Sequence, residues 1–170
     1  MIKVNKLSRA FQKRTIRPLY AWHQATPYAC FWDTSGANPA VAAGLAVYPG
    51  MVASKTTGEL MRVSDATVVP FGLFNNFIQG TMDELGDGTE ISVWRGGPDA
   101  TFEILAGPSA SETPLANVTW TSLNATAGGV ALYSDANGRL SNAVDDPIVA
   151  RLVEAVSNSK IVITLDLRTA

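Results

Sequence analysis

From Leu45 onward, apolar and polar residues alternate in short runs separated by turn residues. Leu45 and Val47 lead to Met51 and Val52, a turn falls at residues 55–58, and residues 59–63 return as a strand. Residues 68–74, 90–95 and 101–105 carry three further runs, with an acidic turn at 83–88 between the first and second of them. A period of two bounded by Gly, Pro, Asn and Asp marks half-buried strands. With 14 glycines and 9 prolines as punctuation, the pattern predicts an all-β fold. Asn137-Gly138, between Tyr133 and Leu140, predicts a tight hairpin because both residues tolerate positive φ. Asp146-Pro147 reads as a helix opening, but the β-branched residues of 148–156 favour a strand that turns at 157–160 into 161–167. Near the N-terminus, residues 6–13 allow one or two helical turns, Pro18 stops any helix, and residues 18–22 read as extended. Residues 33–39 have loop composition.

The last third of the chain repeats the outline of the middle. Pro49-Gly50-Met51-Val52, Gly58-Glu59-Leu60, Phe71-Gly72-Leu73 and Ile91-Ser92-Val93 form one series. Gly128-Gly129-Val130-Ala131-Leu132, Gly138-Arg139-Leu140, Ala150-Arg151-Leu152 and Ile161-Val162-Ile163 form the other. Two copies are too few for a solenoid, which needs about three. Two readings stand: a duplicated hairpin unit within a sandwich or barrel, or chance likeness among glycine-turned strands. The expected fold is therefore all-β, a small β-barrel or β-sandwich built from hairpins, with two related β units as one reading and an extended N-terminal arm. The expected division is a basic arm at 1–32, a first β unit at 33–107, a linker at 108–119 and a second β unit at 120–170.

Charge sharpens the picture of the arm. Lys3, Lys6, Arg9, Lys13, Arg14 and Arg17 precede any acid, the first of which is Asp33, although the whole chain carries a net charge of only -2. A basic arm on an acidic body suggests a docking tail. A solvated terminus is the plain alternative. Nucleic acid is disfavoured, because the arm lacks an Arg-rich run and the acidic body repels phosphate. The charged fraction of 16% is low against about 25% in ordinary soluble domains, which suits a surface partly covered in an assembly. No apolar run is long enough to span a membrane, and the N-terminus lacks the apolar core of a secretory signal, so synthesis in a cytoplasm is expected.

Catalytic and metal chemistry find little support. One cysteine, Cys30, excludes an internal disulfide framework and multi-Cys metal sites, and one histidine, His23, excludes two-His motifs. His23 has no nearby carboxylate, and Cys30 sits among aromatics as a buried hydrophobe would. The acidic stretch 83–90 lacks the alternate carboxylates of a calcium loop, and Trp94-Arg95-Gly96-Gly97 lacks a phosphate-loop lysine. Trp22, Trp32, Trp94 and Trp120 suit core or interface anchoring better than a sugar-stacking platform. No cofactor, metal or catalytic residue is assigned.

The series Tyr48-Pro49-Gly50-Met51-Val52, Gly58-Glu59-Leu60, Val69-Pro70-Phe71-Gly72-Leu73 and Glu90-Ile91-Ser92-Val93-Trp94 resembles the strand-and-turn pattern of tailed-phage head decoration proteins. The resemblance covers about residues 45–105 and 127–167. It implies a structural virion protein, made in the host cytoplasm, that binds the capsid exterior and stabilises it by bridging capsomers. The implied partner is the major capsid protein, the implied assembly a homo-trimer, with no nucleic acid and no membrane. It also implies an arm that adds a strand to the capsid protein. Lys6, Arg9, Lys13, Arg14 and Arg17 would meet acidic surface, and Leu19, Tyr20 and Trp22 would be apolar anchors. The alternative is a tail or baseplate component, or a carbohydrate-binding module displayed on the virion.

Overall fold

The computed structural model describes residues 15–21, 24–35, 37–65, 68–78, 89–96, 99–126, 129–144 and 147–167. The expected helical turns at 6–13, His23, and the acidic turn at 83–88 lie outside them. The fold is all-β. Eleven strands are described: β1 (Ile16–Pro18), β2 (Ala25–Trp32), β3 (Val52–Lys55), β4 (Leu60–Val63), β5 (Pro70–Phe74), β6 (Glu90–Gly96), β7 (Thr101–Leu105), β8 (Ala131–Ser134), β9 (Leu140–Ser141), β10 (Ala150–Ser157) and β11 (Lys160–Leu165). The loop after β2 contains one short helix, α1 (Pro39–Ala42), started by Asn38, whose side chain accepts from the Ala40 N–H.

The strands form a closed barrel in the order β2-β4-β3-β5-β6 and a six-stranded open sheet in the order β1-β7-β11-β10-β8-β9. The duplication is real at the level of strand order. β4-β3-β5-β6 and β9-β8-β10-β11 are the same antiparallel ladder, and β2 and β7 occupy the same place beside β6 and β11. Hydrogen bonds repeat as well: Phe74 N–H donates to Met51 O at 2.8 Å, and Leu152 N–H to Val130 O at 2.9 Å. Positive-φ glycines recur in step, with Gly50 matching Gly129 and Gly58 matching Gly138. The ambiguous segment is strand β10, since its edges complete the ladder between β8 and β11.

The two copies close differently. In the first, β2 pairs in parallel with β4 through Phe31↔Leu60 and Trp32↔Met61, which shuts the barrel. In the second, the loop after β7 interrupts the chain, and only an isolated parallel bridge, Leu115↔Leu140, marks the equivalent closure. The units share strands with the segments expected to flank them: β2 arises within 1–32, and β7 within 33–107 joins the open sheet. One core is lined by Cys30, Trp32, Tyr48, Met61, Phe74, Ile91 and Val93 inside the barrel. The other contains Val52 and Leu73 of the barrel together with Phe102, Ile104, Trp120, Leu132, Leu140 and Ile163. That second core is shared, so the outer wall of the barrel is packed against the open sheet.

Candidate functional site

The residues from Thr15 to Ala21 form the root of the expected arm, and the structure builds them into the open sheet. β1 lies antiparallel to β7 with Ile16↔Ile104, Arg17↔Glu103 and Pro18↔Phe102 in register. Leu105 N–H donates to Thr15 O at 2.7 Å, and Leu19 N–H donates to Thr101 O at 2.8 Å. Alternation along an antiparallel strand then turns the Ile16 and Pro18 backbone outward. Proline is tolerated there because its missing donor would have faced solvent. Thr15 Oγ1 donates to Pro49 O at 2.5 Å, tying the root to the turn before β3.

Of the eight residues expected to dock, Lys6, Arg9, Lys13, Arg14 and Trp22 lie outside the described residues. Arg17, Leu19 and Tyr20 lie within them. Arg17 grips the Glu103 carboxylate with two nitrogens, Nε at 2.7 Å and a terminal nitrogen at 3.1 Å, and Lys160 Nζ reaches the same carboxylate at 2.7 Å. The Glu103 side chain is only 6% exposed, whereas Arg17 is 60% exposed. Burial by itself would raise the Glu103 pKa, but hydrogen bonds and charge from Arg17 and Lys160 outweigh it and hold the carboxyl below its usual range. Leu19 is half-buried and Tyr20 is 68% exposed. Tyr20 is thus the exposed aromatic side chain of the described root.

The ion triad carries a pH dependence of definite sign. Because the folded Glu103 pKa lies below the unfolded value, its contribution is complete above about pH 4.3 and is lost as pH falls through the folded value. Glu103→Gln is expected to cost about 1–2 kcal/mol at neutral pH, the low end because Arg17 keeps its solvent. The same variant flattens the acid limb of the stability curve. Urea titrations from pH 2 to pH 7 check this, and parallel curves for the two proteins would contradict it.

A second polar cluster sits at the barrel mouth. The Tyr28 hydroxyl donates to the Glu59 carboxylate, which also accepts from Lys55 Nζ at 3.0 Å. These contacts raise the Tyr28 and Lys55 pKa values and lower that of Glu59, so the three groups stabilise one another's resting protonation states. Arg95 lies over the Phe71 ring at 4.4 Å, and Tyr28 meets Phe71 edge-on at 5.1 Å. Cys30 is buried in the barrel core, and burial pushes its thiol up to about 12, with Glu59 and Glu90 adding to the effect. Such a thiol is unreactive at neutral pH.

The tryptophans offer no platform among the described residues. Trp32 and Trp120 are buried, and Trp94 is half-buried, held by its Nε1–H to Asn75 Oδ1 at 2.8 Å. No group of three or more metal-ligating side chains occurs among the described residues, and no described helix is long and apolar enough to cross a membrane.

The edge of β2 is a feature that the sequence pattern does not mark. β2 follows β6 from Ala25↔Gly96 to Phe31↔Glu90, yet on its other side it meets β4 only at Phe31 and Trp32. Between those points β2 overshoots the β3–β4 turn, and Pro27 and Ala29 are exposed. The stretch Ala-Thr-Pro-Tyr-Ala-Cys-Phe-Trp lacks clean alternation, so its periodicity gives no signal of this edge. Its partner strand β6 lies more than 50 residues away in sequence, and Pro27 beside exposed small residues was its available clue.

A closed barrel packed on an open half-barrel, with its described cations committed internally and a basic segment ahead of it, defines the class as all-β. The family model for phage cement proteins matches residues 1–170, and the chain belongs to that family. It is a capsid-binding structural protein of the phage virion that stabilises the head. No curated protein and no solved structure matches it.

Proposed function

We propose that this cement protein sits on the outside of the mature capsid as a trimer and stabilises it by bridging neighbouring capsomers. The observation that carries the reading is the distribution of charge. Six of the seven described Lys and Arg residues, all but Arg95, are ion-paired within the fold. Arg95 is stacked on Phe71. The docking charge ahead of β1 is Lys3, Lys6, Arg9, Lys13 and Arg14, in a segment with no acid of its own. In this reading Lys6, Arg9, Lys13 and Arg14 meet acidic capsid surface and speed encounter. Arg17 and Leu19 hold the root, and Tyr20 and Trp22 supply apolar contact. Many copies on one lattice gain avidity from weak individual contacts. The protein does no chemistry, and neither nucleic acid nor membrane enters.

The test is co-sedimentation with undecorated mature heads, comparing the full chain with one lacking residues 1–13, which keeps β1 intact. The full chain is expected to bind saturably. The shortened chain is expected to bind at least ~10-fold more weakly at about 0.15 M salt, with the gap narrowing as salt rises. Full-length protein that stays in the supernatant overturns the proposal. Equal binding by the two chains removes the arm from it.

A further inference from the structure

We infer that the open edge of β2 is a strand-docking site that takes an extended segment of the capsid shell, run antiparallel to β2. The inference rests on the capsid-binding reading above and names a second contact for it. Its basis is the internal duplication. β7 and β2 are equivalent strands: Phe102 faces Ile163 of β11 as Tyr28 faces Val93 of β6. In that alignment Glu103 corresponds to Ala29 and Thr101 to Pro27. On the far side of β7 lies β1, which accepts and donates hydrogen bonds at Leu105 and Thr101. On the far side of β2, no described residue pairs with the stretch between Ala25 and Cys30. The place that the chain fills for itself in one unit has no described occupant in the other.

The direction of the backbone groups follows from the ladder. Trp32 N–H donates to Thr89 O across to the β6 side, whereas Phe31 N–H donates to Glu59 O on the β4 side. Alternation therefore turns the Ala29 N–H and C=O and the Pro27 C=O away from β6, toward the open edge. An edge of this kind is a template for another strand unless charge or proline blunts it; Pro27 removes one donor but leaves its carbonyl and both Ala29 groups, and the exposed residues of the unpaired stretch are Thr26, Pro27 and Ala29. None of them is charged.

The chemistry of the edge selects its occupant. Where β1 sets Arg17 against Glu103, β2 has only Ala29, so the matching position favours a small or apolar residue. The charges beside the edge are already engaged: Glu59, whose backbone oxygen accepts from Phe31 N–H, is paired with Lys55, and Asp99 accepts from Gln24 Nε2 at 3.4 Å just before β2 begins. An extended segment, uncharged and apolar at its centre, fits this surface. The chain's own β1 is held in the other unit, so no described strand of the subunit is left to fill this edge, and the occupant we infer is a capsid segment. The arm and the β2 edge leave from different units of the fold. A subunit gripping at both has two independent points of attachment, which bridging between capsomers requires.

Two measurements on the full-length protein test this. Hydrogen exchange read on peptides covering residues 24–31 is expected to slow at least ~10-fold when undecorated heads are added, and to be independent of protein concentration without them. The substitution Ala29→Pro deletes the outward donor without touching the β6 ladder. It is expected to weaken head binding about 10-fold, the effect of a lost hydrogen-bonding edge. Should the variant fail to fold, the exchange measurement on the natural sequence decides. Binding to heads with no change in exchange at 24–31 overturns the inference and leaves the capsid-binding reading standing. Protection that appears without heads and grows with protein concentration assigns the edge to a second copy of this chain, which also overturns it. Failure of the natural chain to bind heads ends both.

Discussion

Gly138→Ala is expected to lower stability by about 2–5 kcal/mol, a fall of roughly 10 °C in Tm for a chain of this size. Two causes add. Gly138 has φ +74°, where a side chain costs ~1–2 kcal/mol in backbone strain. A Cβ there would also lie 2.4 Å from Val63 Cγ1, and 3.3 and 3.4 Å from the carbonyl oxygens of Val52 and Ser64. Val63 is buried and β-branched, so it has no alternative rotamer to retreat into, and overpacking of this kind costs about 1–3 kcal/mol. The turn is in contact because it docks across the two units: Val52 N–H donates to Gly138 O at 2.7 Å. The duplication supplies a matched control. Gly58 has φ +68° at the equivalent turn, but nothing lies within 4 Å of its would-be Cβ. Gly58→Ala is therefore expected to cost only ~1–2 kcal/mol, the strain alone. Urea unfolding of the two variants separates the terms, and equal losses would show that the turn does not hold the units together.

Removing residues 1–22, compared with removing only 1–13, is expected to cost a further ~4–6 kcal/mol and to make the protein aggregate. The longer deletion takes away β1. Ile16 leaves the shared core, worth about 2 kcal/mol. The Thr15–Pro49 contact and the Leu19–Thr101 and Leu105–Thr15 bonds go with it, each worth about 1 kcal/mol, and Glu103 loses its Arg17 partner. The exposed β7 edge then becomes a template for association. Thermal unfolding and light scattering read the two effects. If the two truncated chains are equally stable, β1 contributes nothing to the fold, and the longer deletion can serve as the arm-less control for head binding.

Local features are legible in the sequence. Asn137-Gly138 forces its turn through two adjacent residues, and the paired glycines at 50 and 129 and at 58 and 138 mark one backbone path taken twice. The runs at 59–63, 90–95 and 101–105 alternate because each has one face toward a core. The root of the arm is harder to read. Arg17 is one of six cations with no neighbouring acid in sequence, and summed charge treats all six alike. Its partner Glu103 lies 86 residues away and meets it only because β1 pairs with β7. Leu19 likewise carries no mark of being bonded to Thr101.

By itself, then, the sequence determined an all-β chain, its hairpin turns, the duplicated series and the segregation of basic charge toward the N-terminus. All of these depend on residues close together along the chain, where steric preference and periodicity act. The tertiary structure decided which copy closes into a barrel, that Arg17 is held by Glu103 while Tyr20 is exposed, and that β7 is covered by β1 where β2 has no described partner over most of its length. Those outcomes depend on strands tens of residues apart in sequence finding their partners, and a backbone group is free or paired only with respect to the strand beside it.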